Sequence, residues 1–261
     1  MQFKKISNIV YRECGINLQS GKEALVRARL TKRLRVLKIE GFKEYVKYLE
    51  SHNGGKELGL LVDVMTTNKT SFFREVAHFD FLCEKILPKL TKKRMRFWSA
   101  ACSSGEEPFS LAMLLLENIP NIRSKDIKIL ATDISPTILG KARKAVYQEG
   151  AFQDLPTGFL RKYFVEIQNG GSRAYQVSND VRRMVRIAKL NLMESWPVKG
   201  PFNVIFCRNV MIYFDRLTQE KLVNRFWELL EPGGYLFVGH SEGLSGVKHK
   251  FQYVQPATYV R

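Results

Sequence analysis

From residue 94 onward, short apolar runs rich in β-formers alternate with helical patterns. The runs are Arg96–Ala100, Ile127–Thr132, Val185–Leu190, Phe202–Cys207 and Tyr235–Val238, and the helical stretches between them are Glu107–Asn118, Pro136–Tyr147 and Thr218–Leu230. Few folds accept this alternation. It predicts an α/β domain with a mostly parallel sheet covered by helices on both faces. The stretch from Tyr147 to Val185 is too long for a simple crossover. It carries a turn signal, Asn169-Gly170-Gly171, and a strand-like piece, Ala174–Val177. These predict a small inserted subdomain, about 148–184, with at least one antiparallel hairpin.

The front of the chain reads differently. Residues 1–66 contain no proline, and glycines punctuate them at Gly15, Gly21, Gly41, Gly54-Gly55 and Gly59. Between Gly21 and Gly41, Val26, Leu30, Leu34 and Leu37 recur at helical spacing and form one stripe. Arg27, Arg29, Lys32, Arg33, Arg35 and Lys38 fill the other directions. Residues 1–50 hold 12 basic and 5 acidic side chains, within a chain whose net charge is +17. Such an excess implies an acidic partner: nucleic acid, anionic lipid or an acidic protein surface. A solvated helix face and a docking surface fit the basic helix equally well.

Several classes are excluded. Apolar residues make up 45% of the chain and aromatics are spread along it, which argues against disorder. No run approaches the ~20 apolar residues of a membrane helix. The start, Met1-Gln2-Phe3-Lys4-Lys5, lacks the pattern of a secretory signal, so a cytoplasmic protein is expected. Cys14, Cys83, Cys102 and Cys207 form no C-x-x-C pair and are expected as reduced thiols. His52, His78 and His249 show no metal spacing, and no metal is expected.

In an open α/β sheet, chemistry gathers at the carboxyl ends of the strands. The first strand runs into Ala101-Cys102-Ser103-Ser104-Gly105-Glu106-Glu107-Pro108, whose small residues let a ligand approach the backbone. Pro108 suits a first helical turn. The second strand ends in Asp133, where such folds bind ribose hydroxyls. Equally, that acid could serve only the start of the next helix. The strand Phe202–Cys207 runs into Arg208-Asn209, two groups that need partners if buried.

These segments together resemble the CheR-type chemoreceptor glutamate O-methyltransferases. The resemblance rests on five ordered motifs: Thr66–Glu75, Trp98–Pro108, Ala131–Ile134, Phe206–Phe214 and Gly239-His240-Ser241-Glu242. It covers nearly the whole chain. It implies a class I S-adenosylmethionine-dependent methyltransferase: a Rossmann-like, mostly parallel seven-stranded sheet with an N-terminal all-helical domain and a small inserted antiparallel β-subdomain. The implied division is a receptor-docking domain at 1–66, a cofactor-closing linker at 67–93 and a cofactor domain at 94–261.

By position, the resemblance makes Asn68, Thr70, Arg74, Glu107, Asp133, Asn191, Leu192, Arg208 and Asn209 contacts of S-adenosyl-L-methionine. It makes Tyr213 and Arg208 the catalytic residues, with Tyr213 favoured to align the substrate. Arg27, Arg29, Lys32, Arg33 and Arg35 become the docking face. The implied partners are methyl-accepting chemotaxis proteins, met at the acidic helical part of their cytoplasmic region. The implied protein is a monomer without nucleic acid or membrane insertion, recruited to receptor clusters. Phe72 and Phe73 are expected as core anchors of the linker. His240-Ser241-Glu242 is expected to be structural, since neighbours on one strand end cannot form a relay. The reaction needs no general base, because a glutamate (reference pKa about 4.3) is already ionised at neutral pH. Other readings stay open on the residues alone: a nucleic-acid methyltransferase, a non-catalytic cofactor-sensing module, or an anionic-membrane binder.

Overall fold

The computed structural model describes residues 2–18, 20–51 and 55–261; His52 and Gly54 lie outside the described residues. The front is helical: α1 (Gln2–Cys14), α2 (Glu23–Leu37), α3 (Phe42–Glu50) and α4 (Gly55–Met65). On α2, Val26 and Leu30 are fully buried, and Leu34 and Leu37 pack against the same core. The helix stops where Lys38 turns left-handed and its N–H reaches the Arg35 carbonyl. A connecting segment then carries Phe72 and Phe73 into the core, as expected of them. It ends in the one-turn helix α5 (Ala77–Phe81).

The second part is a seven-stranded sheet. Its strands are β1 (Arg94–Ala100), β2 (Asp126–Asp133), β6 (Val185–Lys189), β7 (Phe202–Cys207), β8 (Leu230–Val238), β9 (Gln252–Gln255) and β10 (Thr258–Val260). Their order is β6-β2-β1-β7-β8-β10-β9. The first five are parallel, and β10 runs antiparallel to β8 and to β9. Alternation along each strand divides the core. Trp98, Ile205 and Leu236 join the core shared with the front helices, while Phe97, Phe206 and Phe237 join the one beneath the opposite face. That face receives Phe72, Phe73 and the helix α6 (Glu106–Asn118).

The expected helix over Pro136–Tyr147 is shorter. α7 spans Pro136–Lys144, because Ala145 takes a left-handed conformation and β3 (Val146–Tyr147) pairs with a strand of the insertion. The β-branched and aromatic side chains of Val146 and Tyr147 suit that pairing. Between them and β6 come α8 (Phe159–Tyr163), β4 (Phe164–Asn169), β5 (Ser172–Val177) and α9 (Asn179–Met184). β3, β5 and β4 form the small antiparallel sheet. Gly170 and Gly171 make its tight turn with φ of 60° and 80°, a conformation that costs glycine little. The last helix, α10 (Arg216–Leu229), is capped by Asp215, whose carboxylate accepts the Thr218 N–H at 2.8 Å.

The front helices are tied to the sheet's carboxyl edge. Asn17 N–H donates to the Tyr213 carbonyl at 2.8 Å, the Tyr11 hydroxyl donates to Asp215 at 2.6 Å, and Asn191 Nδ2 donates to the Glu13 carbonyl at 2.7 Å.

Candidate active site

A cleft open at its mouth lies between the carboxyl ends of the parallel strands and the 65–74 segment. Asn68, Thr70, Arg74, Glu107, Asp133, Asn191, Leu192, Arg208, Asn209 and Tyr213 all line it. The structure thus brings together every residue predicted for the cofactor and the chemistry.

At the β1 turn, Ala101 and Ser103 are left-handed (φ 86° and 50°). Their backbone is drawn in because the Ala101 and Cys102 N–H groups both donate to the Thr132 carbonyl. Asp133 organises this end. Its Oδ2 accepts the Ser103 N–H at 2.9 Å and its Oδ1 the Ser135 N–H at 3.0 Å. Each oxygen keeps a lone pair for a ligand hydroxyl. Burial raises the Asp133 pKa against the pull of those N–H bonds. The side-chain cap of helix α7 comes from Ser135, while Asp133 only accepts the N–H of that capping residue.

Asn191 is tied differently from expectation. Its side chain makes an Asx turn, accepting the Met193 N–H, while its amide donates to Glu13 and Glu194. Only its backbone and Leu192 are left for an adenine edge.

The 66–75 segment is fastened from both sides. The Ser103 hydroxyl donates to the Asn68 carbonyl at 3.0 Å, and the Phe73 N–H donates to the Ser110 hydroxyl at 2.9 Å. Arg74 closes the loop on itself, donating to the Lys69 carbonyl at 2.8 Å. Arg29 of α2 donates to the Met65 and Thr66 carbonyls and the Thr67 hydroxyl.

Charge concentrates at the other end. Arg208 has a side chain only 2% exposed. Its Nε and one terminal nitrogen donate to Glu75 at 3.3 and 3.0 Å; the other terminal nitrogen donates to Glu107 at 3.1 Å. The Arg74 carbonyl takes another N–H. The second Glu107 oxygen accepts the Ser99 hydroxyl at 2.7 Å. Burial raises the Glu107 pKa, partly offset by Arg208 and Ser99. At Glu75 burial again pushes upward, but Arg208 and Asn209 overrule it and hold the group below its ordinary value.

Two acids escaped prediction as site residues. Glu75 stood inside a quoted motif without a role, because nothing in the local pattern shows that it meets residue 208. Glu242 accepts the N–H groups of Asn209, Gly239 and Ile212 at 2.6, 2.7 and 3.1 Å. It clamps the strand end to the turn that carries Tyr213, in keeping with the structural role expected of it. Gly239 permits this approach: a Cβ there would meet Asn209 Nδ2 and Glu242 Oε2 at 2.6 Å. The Tyr213 hydroxyl makes no hydrogen bond among the described residues and borders the cleft. His78 is 1% exposed, and burial drives its pKa down to about 3, leaving it neutral. Glu75, His78 and His240 bring ligand-type atoms within 4.8 Å of one another, but Arg208 and Asn209 already occupy both Glu75 oxygens.

The basic face of α2 is only partly free. Arg33 donates two bonds to the buried Glu57, which also accepts the Tyr45 hydroxyl. Arg29 holds the linker, and Arg27 lies 5.2 Å from the centre of the Phe42 ring. Lys32 and Arg35 are exposed.

A doubly covered, mostly parallel sheet with an acid at the end of its second strand and a cleft over its carboxyl edge is the arrangement by which α/β folds bind adenosine-type cofactors. Residues 68–260 match the family model described as the SAM binding domain of CheR methyltransferase, and residues 1–66 match the all-alpha domain of CheR methyltransferase. The chain belongs to the CheR methyltransferase family. It is 44% identical over 257 residues to a probable chemotaxis protein methyltransferase of Rhizobium etli, covering 96% of each chain. It is 44% identical over 267 residues to the chemotaxis protein methyltransferase of Borreliella burgdorferi, covering 99% of this chain and 93% of that one. Identity to the Escherichia coli protein of the same name is 38% over 250 residues, with 95% and 86% covered.

Proposed function

We propose that this enzyme methylates side-chain carboxylates of glutamates on the cytoplasmic helices of chemoreceptors, giving glutamyl methyl esters and S-adenosylhomocysteine. Residues 1–66 dock the receptor, 67–93 close over the cofactor, and 94–261 hold it. The observation that carries the reading is the character of the cleft's charged end. Arg208 is neutralised by two carboxylates, and among the described residues the Tyr213 hydroxyl has no hydrogen-bond partner.

The donor set suits the cofactor. Asp133 would offer lone pairs to ribose hydroxyls, the backbone around Asn191 and Leu192 would hold the base, and Arg74, Asn68 and Thr70 would hold the methionine end. Bound there, the cofactor supplies a sulfonium-activated methyl group. The chain then has two tasks, to orient a carboxylate oxygen and to exclude water from it. Tyr213 orients, by donating its hydroxyl to the acceptor. A neutral donor holds a carboxylate without quenching its nucleophilicity as a guanidinium would. Positioning of this kind is worth several kcal/mol.

Labelled cofactor, incubated with the enzyme and receptor-containing membranes, tests the proposal. Label released as methanol by mild base is expected. Base-stable label, or label on RNA in place of receptor, would overturn it.

A further inference from the structure

Glu75 accepts three hydrogen bonds at the charged end of the cleft. Its Oε2 accepts from Arg208 through two N–H donors, and its Oε1 accepts from Asn209 Nδ2 at 3.0 Å. The backbones aim these groups at each other from unfavourable conformations. Phe73, Glu75 and Asn209 are all left-handed, with φ of 53°, 57° and 58°. Non-glycine residues hold that conformation only where their surroundings fix them. The contact also joins distant parts of the chain, since Glu75 comes from the linker and Arg208 from the end of β7.

The electrostatic consequence is specific. Arg208 lines the cleft, and its guanidinium has the fork geometry that pairs with carboxylates. Alone, it would seize any carboxylate that entered, in a two-pronged pair that lowers nucleophilicity. Glu75 occupies the donors such a pair would need, and Glu107 takes another. Together they turn the guanidinium into part of the wall.

We propose that Glu75 is a positioning residue for methyl transfer: it holds Arg208 and Asn209 against the strand end and keeps the guanidinium from gripping the attacking carboxylate. The inference rests on the carboxylate-acceptor reading above.

Steady-state kinetics of E75Q and E75D in the full chain, on receptor membranes with labelled cofactor, test it. E75Q keeps the shape and removes the charge. It should lower kcat by about tenfold or more, the rate equivalent of one charge-assisted hydrogen bond, while receptor KM stays level or falls. E75D keeps the charge at a shorter reach and should recover part of kcat. A kcat within about twofold of wild type for E75Q, or a loss carried by a higher receptor KM, would overturn the inference. So would E75D performing no better than E75Q. Should E75Q lack a cooperative melt, E75D decides against wild type: a lower kcat at unchanged receptor KM supports the inference, and an unchanged kcat overturns it. Wild-type enzyme that leaves no base-labile label marks failure of the carboxylate reading itself.

Discussion

At the scale of the residue, the site is built from carboxylates, Asp133 and Glu242 held by backbone N–H groups and Glu75 and Glu107 by side chains. Glu242 is the clearest case, with three N–H groups converging on one buried acid. E242A should strand those donors, costing about 2 kcal/mol or more of stability and depressing turnover with it, as read by thermal melts and labelled transfer. Tyr213 should behave in the opposite way. Y213F should leave the melt and the binding of S-adenosylhomocysteine by calorimetry unchanged and lower kcat about tenfold or more. Full turnover with weakened cofactor binding would remove Tyr213 from the chemistry. His78 predicts an acid dependence. Its pKa is near the ordinary 6.5 in the unfolded chain and about 3 in the fold. The unfolded chain binds a proton that the folded one refuses, so stability falls as pH drops from about 6.5 toward 3, by at most ~1.4 kcal/mol per unit. His78→Phe should flatten that slope in urea titrations. Asp133 was legible because it follows an apolar second strand by one residue. Glu75 was not, because its partners lie more than a hundred positions away and only the folded sheet brings them to it.

At the scale of the element, α2 was legible as a helix and its basic face only half legible as a surface. Periodicity gave the stripe of Val26 and Leu30, but no periodicity shows that Arg33 answers the buried Glu57 or that Arg29 reaches the linker. The five charges therefore divide by role. R33A should cost about 2 kcal/mol by leaving Glu57 buried without its cation, a loss visible in melting of the free enzyme. Reversal of Lys32 and Arg35 should leave the melt alone, slow methylation of receptor membranes and flatten its salt dependence. Unchanged kinetics after that reversal would return this face to simple solvation. The end of α7 was misjudged for a similar reason. Val146 and Tyr147 continue a helical pattern locally, and only their pairing with Gln176 and Tyr175 makes them a strand. The closing strands β9 and β10 are four and three residues long and β9 is largely exposed, so neither carries the apolar run that revealed the other five.

At the scale of the whole molecule, the two parts share one core and one site. The helical front packs on the sheet through Trp98 and Ile205, and its α1 end binds the turn that carries Tyr213. The proposed docking front and the proposed reacting end of the cleft are therefore mechanically adjacent. Of the net charge of +17, +7 lies in residues 1–50, the front on which the proposed acidic partner would dock. No helix among the described residues is long and apolar enough to cross a membrane. The central claim is that the methyl group goes to a glutamate carboxylate of a chemoreceptor. Mass spectrometry of receptor peptides after incubation with enzyme and cofactor tests it most directly. One added methyl is expected on glutamate side chains of the cytoplasmic helices, lost on mild base treatment and formed about tenfold or more slowly by Y213F. A base-stable methyl on lysine or arginine, or receptor peptides left unmodified by an enzyme that binds its cofactor, would contradict it.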